Sequence, residues 1–186
     1  MFRNNRIRMA GITLIELLVV IVIAAILMGI AVPSYKNITT SYRISGEING
    51  LLGDMQFARA EAVKEGQNVT ICASTNATSS APTCSGTSWN GGWIVFPTSS
   101  AGVGSAVLRI QAPFSSSDTF SDSATSQVVF DRDGLINSSL STGFPAAGTL
   151  ILLHDPTANL VYTRCLQISP VGAMLVTQNS ANTSCT

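Results

Sequence analysis

From Leu17 to Val32 the chain runs through sixteen consecutive residues with no polar side chain. Carried back to Ile12, the run covers 21 positions and is broken only by Thr13 and Glu16. As a helix, that length crosses the roughly 30 Å hydrocarbon core of a bilayer. Arg3, Arg6 and Arg8 precede it with no acidic residue among them. The positive-inside bias therefore holds residue 1 in the cytoplasm and sends everything after Pro33 across the membrane. A plain secretory signal peptide is the bland alternative, but its apolar region spans only about 7–15 residues, and here an acid stands near the start. A carboxylate at membrane depth costs roughly 2.5–3.5 kcal/mol on insertion scales, so Glu16 points to function. A cut after Gly11 would give it a partner, because Ile12 would then carry a new α-ammonium.

Gly11-Ile12-Thr13-Leu14-Ile15-Glu16-Leu17 resembles the prepilin processing motif of type IV pilins and type II secretion pseudopilins. The resemblance implies that a prepilin peptidase cuts between Gly11 and Ile12 and methylates the new N-terminus. The acid is then the fifth mature residue and Pro33 the twenty-second, both as the family has them. Ile12 departs from the usual phenylalanine, a mild change. In such a family the mature subunit rests in the inner membrane by a single span with its C-terminal domain in the periplasm. It then joins other pilins or pseudopilins in a helical filament. Glu16 would pair there with an Ile12 ammonium, its own or a neighbour's, and so set the axial register.

Length and charge bound the remainder. The 186 residues allow one membrane helix and one globular domain. The formal charge is zero, with ten basic and ten acidic residues. Without the three leader arginines the mature chain carries seven basic residues against ten acidic, a poor balance for holding a polyanion. All four cysteines, Cys72, Cys84, Cys165 and Cys185, fall in the part expected to be exported, where an even count favours disulfides. Three pairings are possible; the two sequence-local ones, Cys72 with Cys84 and Cys165 with Cys185, are preferred. Each would contribute on the order of 3 kcal/mol in the chain-entropy model. No CxxC occurs, and the only histidine, His154, has no second ligand at zinc spacing, so no metal or other cofactor is expected.

Beyond Pro33, Ile38, Tyr42, Ile48, Leu51, Leu52, Met55, Phe57, Ala58 and Ala62 recur at near three- and four-residue spacing. That stripe predicts an amphipathic continuation of the helix to Glu65, about 80 Å in all from Ile12 at 1.5 Å per residue. Gly29 and Pro33 should bend or locally melt it. Gly46, Gly50 and Gly53 share one face, either because a sheet presses on them or as simple weak points. Gly66 is the natural stop. Strands are predicted at Asn68–Ala73, Trp93–Phe96, Ala106–Ile110, Gln127–Phe130, Thr149–Leu153, Asn159–Ile168 and Ala173–Thr177, between Gly-, Ser- and Asn-rich connections. The expected class is α+β, a long N-terminal helix packed by its second half on an antiparallel sheet domain. Its divisions are 1–11 leader, 12–33 membrane or filament-core helix, 34–65 amphipathic helix and 66–186 β-rich domain.

The later segments resemble the H-type branch, the GspH/FimT-like minor pilins and pseudopilins. The likeness is carried by Phe57–Lys64 followed by Val69-Thr70-Ile71-Cys72, by Trp89-Asn90-Gly91-Gly92-Trp93, by Val107-Leu108-Arg109, and by Val128-Val129-Phe130 with Gly134. Arg59 and Glu61 stand where the helix end meets the sheet, to pair, to cap or simply to face solvent. Some members of this branch bind DNA through a Gly-Arg-x-Arg hairpin. Here the matching position reads Gly172-Ala173-Met174-Leu175, which keeps the glycine and lacks both arginines, arguing against direct DNA binding. Asp131-Arg132-Asp133-Gly134 reads as a tight turn rather than a calcium loop, His154-Asp155-Pro156 as a strand end, and Trp89 and Trp93 as core anchors. An exposed Trp89 would instead offer a partner contact. No nucleophile elbow, phosphate loop or paired catalytic acids can be placed, so an enzyme is disfavoured. The expectation is a minor pilin of type IV pilus assembly, with a type II secretion pseudopilin as the alternative and a DNA-binding tip subunit behind both.

Overall fold

The computed structural model describes residues 11–100, 107–121 and 124–178. The leader arginines Arg3, Arg6 and Arg8, and Cys185, lie outside the described residues. The chain divides into two compact units, residues 1–39 and 40–186.

The first unit is the apolar start of helix α1, which spans Leu14–Glu65 in all. Thr13 begins it: its Oγ1 accepts from the Glu16 backbone N–H at 3.2 Å, and its carbonyl accepts from Leu17 N–H. This is N-capping, in which a hydroxyl satisfies an orphan donor of the first turn. The large apolar side chains from Leu14 to Val32 are all exposed, a surface that water does not tolerate over such a length. Among the described residues α1 alone is long and apolar enough to cross a membrane. Of the bend or local melting expected at Gly29 and Pro33, the melting does not occur, for α1 is helical through both. Proline removes one donor and sets its ring against the carbonyl four residues back, which belongs to Gly29. One missing bond is a small fraction of what a helix of 52 residues makes.

In the second unit, α1 buries Ile44, Ile48, Leu51, Met55, Ala58 and Ala62, spaced alternately by four and three. The stripe is narrower than expected. Ile44 joins it, Leu52 and Phe57 are only partly buried, and Ile38 and Tyr42 are exposed, Tyr42 at 76%. Tyr42 lies about 200° around the helix from Ile44, which periodicity over a mixed segment could not separate. Gly46, Gly50 and Gly53 look into open space, with nothing within 4 Å of an added Cβ, so no sheet presses on them. The helix ends at Gly66 (φ 64°), with Gln67 N–H returning to the Ala62 carbonyl, a Schellman-type closure.

Among the described residues the antiparallel strands of the domain form two sheets. The first orders β3 (Arg109–Gln111), β2 (Trp93–Pro97), β1 (Val69–Ala73) and β5 (Gln127–Phe130). The second orders β4 (Thr119–Ser121), β6 (Thr149–His154), β7 (Arg164–Ile168) and β8 (Met174–Gln178). Strand β4 falls in a stretch whose Ser-rich composition reads as loop; it is three residues long and anchored by the buried Phe120. Asn159–Thr163, expected as strand, forms turns, with Tyr162 N–H bonded to the Asn159 carbonyl. Both sheets and the second half of α1 share one core, including Val69, Ile71, Trp93, Val128, Phe130, Ile151 and Leu166.

Strand β1 is buried on both faces. Val69, Ile71 and Ala73 belong to the core that includes α1, while Cys72 packs with Ala77 and Ile94 in a second, smaller cluster. The Cys72–Cys84 disulfide staples the 74–90 connection over that cluster, with Cα atoms 5.5 Å apart. Cys165 is also disulfide-bonded; its expected partner, Cys185, lies outside the described residues.

Candidate functional site

The processing motif sits at the front of α1. Gly11, Ile12 and Thr13 are exposed and non-helical, with Ile12 at 74% exposure. A peptide bond in extended, uncovered chain is where proteases act most readily. Glu16 lies in the first turn, where a negative charge is favoured by the helix dipole, and it is exposed. Thr13-Leu14-Ile15-Glu16 also has the spacing of a capping box, a signal that sequence reading passed over because the acid already had a role. Pro33 is exposed within the helix.

The second motif is the β7–β8 hairpin. Ser169 N–H donates to the Ala173 carbonyl at 2.9 Å and Gly172 N–H to the Ser169 carbonyl at 2.9 Å, closing the expected turn. Gly172 has φ 73°, and an added Cβ would lie 2.5 Å from the Gly134 carbonyl oxygen and 3.1 Å from Arg59 Nε. The glycine is thus required by the backbone whatever the next residues do. Ala173 and Leu175, where DNA-binding members of the branch carry arginine, are exposed, Leu175 at 57%. They present apolar surface without charge.

Arg59 explains why this turn is held. Its Nε donates to the Gly134 carbonyl at 2.8 Å and its Nη2 to the Val171 carbonyl at 3.4 Å, tying the helix end to two loops. Glu61 instead pairs with Lys64 at 3.1 Å on the surface. Asp131 Oδ1 accepts from the N–H groups of Asp133 and Leu135, the side-chain pattern of a tight turn. His154 ends β6 and meets Thr119 Oγ1 across the strand pair.

Both tryptophans are buried, so Trp89 is not a surface contact; its Nε1 donates to the Thr125 carbonyl at 3.0 Å. Trp93 Nε1 donates to Asp54 Oδ2 at 2.8 Å, and Arg109 Nη1 binds Asp54 Oδ1 at 2.7 Å while its guanidinium lies 4.0 Å from the Phe57 ring centre. The strand after Gly92 can reach that position because the backbone passes close to β3: a Cβ on Gly92 (φ 92°) would fall 2.2 Å from the Gln111 carbonyl oxygen. Asp54 gave no signal in sequence, since an acid on a helix ordinarily reads as solvated surface. The same holds for Arg43, Glu47 and Asp118, which form a second polar cluster.

Known proteins agree with this geometry. Residues 47–172 match the family model described as type II transport protein GspH, and residues 6–32 match the prokaryotic N-terminal methylation motif. No curated protein sequence matches significantly. The fold is similar to the type IV minor pilin FimU of Pseudomonas aeruginosa strain PAO1, in one crystal form at 19% identity and a TM-score of 0.56, covering 79% of this chain and 95% of that one. In a second crystal form of FimU the TM-score is 0.52, with 77% and 94% covered. A long apolar helix on antiparallel sheets, an N-terminal methylation motif and a family match over most of the chain together make this protein a member of the GspH family, a minor pilin or pseudopilin of the type IV pilus and type II secretion systems.

Proposed function

We propose that the chain is a minor pilin, cut by prepilin peptidase between Gly11 and Ile12, methylated there, and used to initiate or cap a type IV pilus. The observation that carries this reading is the front of α1: an exposed, non-helical cleavage segment joined directly to a helical run whose large apolar side chains from Leu14 to Val32 are all exposed. Such a surface needs lipid first and other apolar helices afterwards. The inner membrane serves as the reservoir, with the domain beyond Pro33 in the periplasm. Glu16 and an Ile12 ammonium then pair at low dielectric, where an unpaired charge is penalised and register is thereby selected.

The H-type pseudopilin of type II secretion is the second reading, favoured by the description of the matching family. The two share every physical step and differ in the filament they enter. DNA binding at the β7–β8 hairpin is disfavoured by Ala173 and Leu175. An enzymatic role is disfavoured too, the chain being instead the peptidase's substrate. N-terminal sequencing of membrane-extracted protein should begin at isoleucine 12; any other start removes the pilin processing reading. A deletion strain scored for twitching, DNA uptake and secretion separates the filament systems.

A further inference from the structure

Two carboxyl groups and one guanidinium meet near the start of the second unit. Arg43 grips Asp118 with parallel bonds, Nε to Oδ2 at 2.6 Å and Nη2 to Oδ1 at 2.7 Å. The Asp118 side chain has no solvent exposure and the Arg43 side chain 42%. One turn further along α1, Glu47 is only 8% exposed. Its Oε1 accepts from Ser116 Oγ at 2.7 Å, while Oε2 is buried and has no hydrogen-bond partner among the described residues.

We propose that Glu47 works as a neutral acid that latches α1 to the 116–118 segment, and that losing its proton loosens the latch. The fork of Arg43 is already filled by Asp118, so a second negative charge at Glu47 would be buried without a cation of its own. A proton on Oε2 removes that charge and converts an orphan acceptor into a donor. The charged and titratable groups around the cluster are Arg43 on α1, Asp118 ahead of β4, His154 and Asp155 at the end of β6, and Arg164 on β7. Asp155 adds its charge to the field at Arg43. Arg164 is turned to Ser41 Oγ at 3.0 Å and to the carbonyls of Val161 and Thr163. His154 is engaged by Thr119.

The electrostatics agree in direction. Burial, and then the Asp118 charge, push the Glu47 carboxyl above its ordinary 4.5, against the opposing pull of the Ser116 hydroxyl and of Arg43. An acid that binds its proton more tightly when folded stabilises fully below its unfolded pKa, and loses that contribution as pH rises through its folded value. Asp155 behaves oppositely. Burial alone would raise it, but hydrogen bonds from Thr157 and from the Asn159 N–H outweigh burial and hold it below its ordinary 3.8. Its contribution is present above 3.8 and lost only as pH falls through the lower folded value. The two windows do not overlap, so the two contributions are both present in full only between 3.8 and 4.5.

The test is thermal unfolding of the full chain in detergent from pH 4.5 to 8. The wild-type midpoint should fall by roughly a few degrees across this range. Glu47→Gln should unfold at higher temperature than wild type at pH 8 and show a flattened slope. Equal loss at both ends of the range, or an unchanged slope, would overturn the latch. Should Glu47→Gln fail to fold, Ser116→Ala decides: removing the hydroxyl that favours the ionised form should move the fall in stability to higher pH, and an unmoved fall would overturn the proposal as well.

Discussion

Asp54 shows how much one side chain can do beyond the reach of sequence reading. It accepts from the buried indole of Trp93 and from Arg109, partners 39 and 55 residues away. Asp54→Ala should cost about 1–3 kcal/mol in denaturant unfolding, because the Trp93 N–H would be left unsatisfied. Gly172 was legible at the same scale, since a turn demands its conformation locally. Gly172→Ala adds both positive-φ strain and a collision with the Gly134 carbonyl. It should lower stability by about 1–3 kcal/mol and free the Arg59 guanidinium from Val171. Glu16→Ala should leave cleavage at Gly11 intact yet reduce incorporation into filaments; quantitative immunoblots of sheared filaments and membranes would measure both, and normal incorporation removes the register role. The readable residues were those whose reason lies within a few neighbours, such as Gly66 closing its own helix. Glu47 and Arg43 take their meaning from a segment about 70 positions later, so on the sequence they look like a solvated face.

At the scale of elements, α1 was legible in type and extent, because a long apolar run followed by three- and four-residue spacing has few other solutions. The side it buries was less so, as Tyr42 and the three glycines illustrate. Leu51→Ala should cost about 2–5 kcal/mol, since Leu51 is fully buried in the core that α1 shares with the two sheets. Gly50→Ala, on the open face, should stabilise by up to about 1 kcal/mol through helix propensity alone. Strands β1, β2, β5, β6 and β8 were anticipated closely, being rich in β-branched and aromatic side chains between turn formers, whereas β7 was drawn too long at its start, at Asn159 instead of Arg164. β4 was missed because three residues of Thr-Phe-Ser carry no period; its pairing with β6 comes from the partner strand. The split into two sheets follows from strand order, which no local pattern encodes.

At the scale of the molecule, the cysteines and the family resemblance spoke early about location, and the pairing of Cys72 with Cys84 is present in the structure. Mass mapping of non-reduced protein should recover that link and join Cys165 to Cys185; mixed connectivity would overturn the second pairing. The helix start carries a further consequence for the whole chain. The hydroxyl and carbonyl that close the first turn both belong to Thr13, downstream of the proposed cut. Trimming eleven residues would therefore leave the coil as it was, take away the three arginines ahead of it and turn a tethered, neutral amide into a free cation. Maturation on this view is a rewriting of charge with no refolding attached, and a subunit would be ready to join its neighbours the moment the tether is severed.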